Sequence, residues 1–195
     1  MADSVLDAIH RRRSYGRLGP PAPNDAQLRD LVAAAVAAPD HGRLRPWRFV
    51  AVRPEAYTRL GEVLADALRA RHAAEGIEPT PAQLDKEHTK LGRAPLVVVA
   101  AARYQPGPIP RPEQLAAVAA ATQNLILAAE ATGFGSMWRT GPAAYDDRVK
   151  EALGLDPTDG IVGFVYLGTV PDGRRLPPAV RPAPADVLDA LTGTP

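Results

Sequence analysis

An α+β fold, a sheet covered by helices, is what the sequence predicts, on three observations. Helical patterns carry more of the 195 residues than strand patterns do. The strand-like runs at 48–52, 96–101 and 161–168 do not alternate one-for-one with the helices, as a doubly wound parallel sheet would require. Residues 113–132 read as a helix that is apolar or small on nearly every face. Leu115, Val118, Leu125, Ile126 and Leu127 are set there among eight alanines, and a helix with no wet side belongs in the interior. Thr122, Gln123 and Asn124 in its middle weigh against a membrane span.

The other elements follow in order. Val5, Leu6 and Ile9 fall at helical spacing within 3–12, with Asp3 or Ser4 as cap. Asn24 and Gln27 form a capping box opening a helix over 25–38, which Pro39 stops. Glu55 to Ala74 carries an inward stripe of Leu60, Val63, Leu64, Ala67 and Leu68. Residues 75–92 are polar and broken by Pro79 and Pro81; a short helix there is expected as a lid or as a surface excursion. Leu96–Ala101 is apolar throughout, as a strand covered on both faces would be. Asp146–Leu153 is a short amphipathic helix closed by Gly154, and Ile161–Gly168 is the last strand. The whole reads as one domain, 1–195, with a proline-rich arm from about 171; 21 prolines in all mark connections, not domain boundaries.

Two stretches can do chemistry. Arg11-Arg12-Arg13-Ser14 follows the first helix. Cations there suit the helix dipole, and adjacent guanidiniums beside a hydroxyl also suit a phosphate monoester. Gly133 closes the long helix in a left-handed conformation, and Gly135-Ser136-Met137-Trp138-Arg139-Thr140-Gly141 is a short strand-like run that ends in glycine and Pro142. This corner reads either as close helix-to-strand packing or as a place where a flat ligand meets bare amides. Gly133-Phe134-Gly135 is no dinucleotide fingerprint, because the strand–glycine–helix order is reversed.

Composition removes much else. Lys+Arg 23 against Asp+Glu 22 makes no global field for nucleic acid or an anionic membrane. With no cysteine and only Ser4, Ser14 and Ser136 as serines, none in a nucleophile elbow, covalent hydrolysis has no candidate. His10, His41, His72 and His88 stand far apart, without metal-site spacing. No P-loop is present. The amino end has no apolar signal core, so a cytoplasmic protein is expected. His41 differs from the other histidines in sitting in the loop 40–47, where binding residues tend to be placed.

In chain order these pieces resemble the FMN-dependent nitroreductase family. The matches are Arg12-Arg13-Ser14, Ala38-Pro39 to Pro46-Trp47-Arg48-Phe49, Gly133 to Gly141, and Val162 to Gly168, spanning nearly the whole chain. The Ala-Pro-Asp-His loop and the Trp-Arg-Thr-Gly corner are similar to those of a small NAD(P)H nitroreductase subgroup. The resemblance implies a central, mainly antiparallel sheet flanked by helices and an intertwined homodimer with two FMN sites at the interface. It implies roles as well. Arg12 and Ser14 would hold the phosphate, Arg13 would lie along the flavin, and His41 would reach into the partner's site. The backbone of Thr140 and Gly141 would face flavin N5 beside Trp138 and Arg139, and Arg175 would add a phosphate-binding cation from the tail. The chain departs from the family in having Gly16 where a basic residue is usual, leaving Arg17 one place further on, and in Asp40, His41, Arg43 and Arg45 at the polar loop positions.

The implied reaction is hydride transfer from NADH or NADPH to FMN, then to a small-molecule acceptor such as a nitroaromatic, quinone or activated alkene. A cation near flavin N1 and O2, assigned to Arg13 or Arg17, would stabilise the reduced ring. The rival readings are other flavin chemistry on the same fold (dehydrogenation, dehalogenation, flavin fragmentation), a non-catalytic flavin-binding protein, and an arginine-based nucleic-acid or phosphoprotein-binding module. The near-zero charge counts against the last.

Overall fold

A computed structural model describes residues 5–173 and 176–191. Helices are α1 (Val5–Arg11), α2 (Asp25–Ala35), α3 (Tyr57–Ala74), α4 (Pro81–Thr89), α5 (Arg111–Ala131) and α6 (Asp147–Ala152); strands are β1 (Trp47–Val52), β2 (Leu96–Ala102), β3 (Gly135–Arg139) and β4 (Gly160–Gly168). The strands form one sheet in the order β1-β2-β4-β3, every pair antiparallel. The expected α+β class, a mainly antiparallel sheet flanked by helices, is what the chain adopts. No described helix is long and apolar enough to cross a membrane.

The sheet separates two apolar layers, and β2 explains why. Val97, Val99 and Ala101 face α3 and α6 with Leu60, Leu64, Phe164 and Tyr166. Leu96 and Val98 face α2 and α5 with Leu31, Leu125, Ile126, Val165 and Leu167. A central strand covered on both sides has no polar face to write, hence its unbroken apolar run. Each fully buried leucine contributes roughly 1.5–3 kcal/mol.

The structure alters three local expectations. Helix α5 starts two residues earlier than expected, at Arg111, with Pro110 at its N-cap and a proline in its first turn, where the missing N–H has no intrahelical partner to lose. Its burial is also one-sided. Ala117, Val118, Ala121, Leu125 and Ala129 are buried, whereas Ala116 is exposed and Ala120, Gln123 and Leu127 are only half covered. Thr122 is accommodated by donating to the Val118 carbonyl at 2.7 Å. The segment 75–92 is no loose excursion: Thr80 and Gln83 form a capping box for α4, which lies so close on α3 that a Cβ at Gly61 would stand 2.6 Å from the His88 carbonyl oxygen.

Tyr57 ties α3 to the entry of β2 by donating its hydroxyl to the Ala94 carbonyl at 2.9 Å. Burial above all pushes its phenol up to about 12; Tyr166 and Glu55 act in the same direction and Arg53 opposes them. A folded-state value above the unfolded one means stability that is complete below the unfolded value of 10.0 and is lost as pH rises towards about 12. Urea unfolding across that window will show the decline. Tyr57→Phe should flatten it and cost about 1 kcal/mol at neutral pH through the lost hydrogen bond; an unaltered slope would refute the assignment.

Candidate functional site

The segment after α1 is pinned by main-chain bonds. Ser14 bridges to Ser136 of β3 in parallel and Gly19 to Thr169; Tyr15 N–H donates to the Ser136 carbonyl at 3.0 Å and Leu18 N–H to the Arg93 carbonyl at 2.8 Å. Arg11 turns to Glu130 of α5 at 3.4 Å, leaving the next three residues to build a pocket. Arg12 donates to the Ser14 hydroxyl at 3.2 Å, Arg13 donates to the Pro177 carbonyl, and Arg181 donates to the His10 carbonyl at 3.3 Å. Arg12, Arg13, Ser14 and Arg181 line a cavity of about 360 Å³ closed by the arm around Pro177, with no carboxylate among the lining residues. Guanidiniums and a hydroxyl around one cavity have the donor chemistry of an anion cradle.

At the far end of β3 the chain turns at Gly141, whose φ of 143° and ψ of −175° belong to a region essentially restricted to glycine. Among the described residues nothing accepts the amide of Thr140 or Gly141. These two residues border a cavity of about 440 Å³ walled by α3, α4, Arg93, Arg139, Phe164 and Tyr166, and a more open one of about 560 Å³ beside Tyr145 and the Arg71–Asp146 ion pair. That pair closes at 3.2 Å. Burial raises the Tyr166 phenol, with Arg139 and Arg93 pulling the other way, so the ring stays neutral at physiological pH. No group of three or more metal-ligating side chains lies close together among the described residues.

The profile of the Nitroreductase family matches residues 9–169. This chain belongs to the nitroreductase family. It is similar to the protein named "Putative NAD(P)H nitroreductase YdjA" of Escherichia coli (strain K12), 35% identical over 166 residues, which is 85% of this chain and 87% of that protein. Among solved structures it is similar to a nitroreductase-like family protein from Bacillus cereus, with a TM-score of 0.80 at 24% identity, covering 99% of this chain and 98% of the other. A nitroreductase from Bacteroides fragilis solved with bound FMN gives 0.74 at 21%, covering 97% and 100%.

The nitroreductase fold sorts the residues singled out in the sequence into groups. Arg12, Arg13 and Ser14 come together in the cradle, and Arg139, Thr140 and Gly141 at the other end of β3. Trp138 does not join Arg139, because successive residues of a strand face opposite ways. Its indole packs in the layer with α2 and α5 and donates to the Val162 carbonyl at 3.3 Å. His41 sits in a 3₁₀ turn over 41–43 with Nδ1 2.5 Å from the Glu113 carboxylate, and lines neither cavity. Next to it Arg43 and Arg45 hold φ of 54° and 52°, conformations rare outside glycine. Arg17 is exposed and also lines neither cavity. Arg175 lies outside the described residues; among the described residues of the arm, Arg181 lines the cradle. Sequence reasoning missed Arg181, and the only signal for it was an arginine among prolines in a segment already expected to fold back.

Proposed function

We propose that this chain is an FMN-dependent oxidoreductase that passes hydride from NADH or NADPH through flavin N5 to a nitroaromatic, quinone or similar acceptor, and that it works as an intertwined homodimer. The observation that carries this reading is the arrangement along β3. The anion cradle adjoins Ser136 through Ser14, and the unused amides lie four to five residues further on, roughly 13–17 Å along the strand. That separation suits a phosphate and a flat ring joined by a short polyol chain. The name of the Escherichia coli relative and the FMN bound in the Bacteroides fragilis structure point the same way.

Bound FMN would supply the redox chemistry, and the protein the position and the field. Arg12 and Ser14 would take the phosphate, with Arg181 adding a cation from the arm and Arg13 lying along the cofactor. The amides of Thr140 and Gly141 would orient the ring edge, and the absent side chain of Gly141 would leave space beside it for a second substrate. Support for the dimer comes from the half-open face of α5 and from exposed Val5, Leu6, Val187, Leu188 and Leu191, too much apolar surface for the ends of one small chain to leave in water. In such a dimer His41 would reach the partner's site.

The absorption spectrum of the purified protein tests the cofactor: a flavin band that NADPH or NADH bleaches, and that a nitroaromatic or quinone restores. Protein that carries no flavin and takes up no added FMN would refute the proposal, as sedimentation of a monomer would refute the dimer. Yellow protein inert to both nicotinamides would favour a flavin-binding role without this reaction.

A further inference from the structure

We infer that Arg139, backed by Arg93, is the cation that faces the electron-rich edge of the flavin, a role the N-terminal arginines would otherwise be given. The inference rests on the proposed FMN binding. Strand β3 turns Arg139 onto the face of Tyr166, where its guanidinium carbon lies 5.9 Å from the ring centre. It lines the same cavity as Thr140 and Gly141. Its Nη2 is 4.0 Å from where a Cβ at residue 16 would be, so the guanidinium stands beside a position that has no side chain of its own. Arg93 enters that cavity from the turn before β2, its carbonyl held by Leu18 N–H.

Neither guanidinium has a carboxylate partner among the described residues. Of the carboxylates lining the cavity, Glu87 is engaged by Lys90 and Glu75 by no described cation, and the phenol of Tyr166 is neutral. Both guanidiniums are half-covered and lie beside amides suited to a flavin ring, so an anion arriving there would meet two cations with no counter-ion to displace. Hydride adds two electrons and one proton to a neutral ring and so leaves one negative charge, which resides at N1 and O2. A cation there stabilises the reduced form more than the oxidised one. Arg13 is committed to the Pro177 carbonyl in the other cavity and Arg17 does not line the cavity beside Thr140 and Gly141, so neither is placed for this within the chain.

The test is the affinity of the protein for oxidised and for reduced FMN, with the midpoint potential of the bound flavin as a second readout. Arg139→Gln should weaken reduced FMN roughly 10–100-fold more than oxidised FMN, a fall of about 30–60 mV for a two-electron couple. Arg139→Lys should keep most of the difference, and Gly16→Lys in the Arg139→Gln background should restore part of it. Arg13→Gln should weaken both forms alike, and Arg17→Gln should leave their ratio unchanged. Equal weakening of both forms by Arg139→Gln, no change at all, or a changed ratio in the Arg13 or Arg17 variant would each overturn the inference. Unaltered protein that takes up no FMN overturns the proposed function along with it; a normal flavin whose potential ignores Arg139 overturns this inference alone.

Discussion

Gly163→Ala should cost about 2–4 kcal/mol of stability and the greater part of flavin binding, although the change adds one methyl group. A Cβ at this position of β4 would lie 2.1 Å from Nε1 of Trp138 and 2.8 Å from the carbonyl oxygen of Arg139. An indole can swing aside, but the carbonyl belongs to β3 itself, so the strand has to separate from β4 at the residues that lead into Thr140 and Gly141. Overpacking of this kind usually costs 1–3 kcal/mol, and more when backbone must move. For a chain of this size that corresponds to a fall in Tm on the order of 5–15 °C. Thermal unfolding and FMN titration of the variant measure both effects. Trp138→Leu in the same chain should recover only part of the loss, since it relieves the indole contact and leaves the carbonyl. A Gly163→Ala protein with native Tm and native FMN affinity would show that β3 and β4 are looser here than their pairing indicates.

Arg12→Ala should weaken FMN on the order of 10–100-fold. A hydrogen bond to a charged group is worth about 1.5–3 kcal/mol, and the guanidinium of Arg12 is the one that meets the Ser14 hydroxyl in the cradle. Ser14→Ala should have a smaller effect, and the double variant should fall short of the sum because the two side chains touch. Because the cradle stands at the opposite end of β3 from the amides proposed to meet the ring, oxidised and reduced FMN should be affected equally. Calorimetric titration decides this, and a loss under twofold would mean that the phosphate sits elsewhere. The same titration separates the arm's arginines: Arg181→Ala should weaken binding, and a larger effect from Arg175→Ala would favour the assignment implied by the resemblance.

How far the sequence could be read depended on the range of the interaction. Capping at Asn24 and the closing glycine at 133 are local chemistry, and both occur as expected. The strand at 96–102 was legible because burial on both faces leaves a mark in composition. The Trp-Arg-Thr-Gly corner was legible as a short strand-like unit, yet which layer Trp138 and Arg139 each enter emerges only once the strand is paired with β4. Contacts across many residues left no local trace. Nothing near Gly61 signals the His88 backbone against it, and nothing near Arg181 signals that the arm returns to the end of α1. The departure at Gly16 was visible in the sequence, but that Arg139 stands beside the empty position is a fact of the folded chain.

The alternation along β3 has one more consequence. Loss or gain of a single residue between Gly135 and Thr140 would rotate the strand by half a period, sending the indole towards the cavity beside Thr140 and Gly141 and the guanidinium into oil. A gain or loss of two would preserve the facing but move the cradle and the amides apart or together by about 7 Å. If FMN spans the strand as proposed, the length of this tract is a gauge for the ligand, and it can drift far less freely than the identities of the side chains written on it.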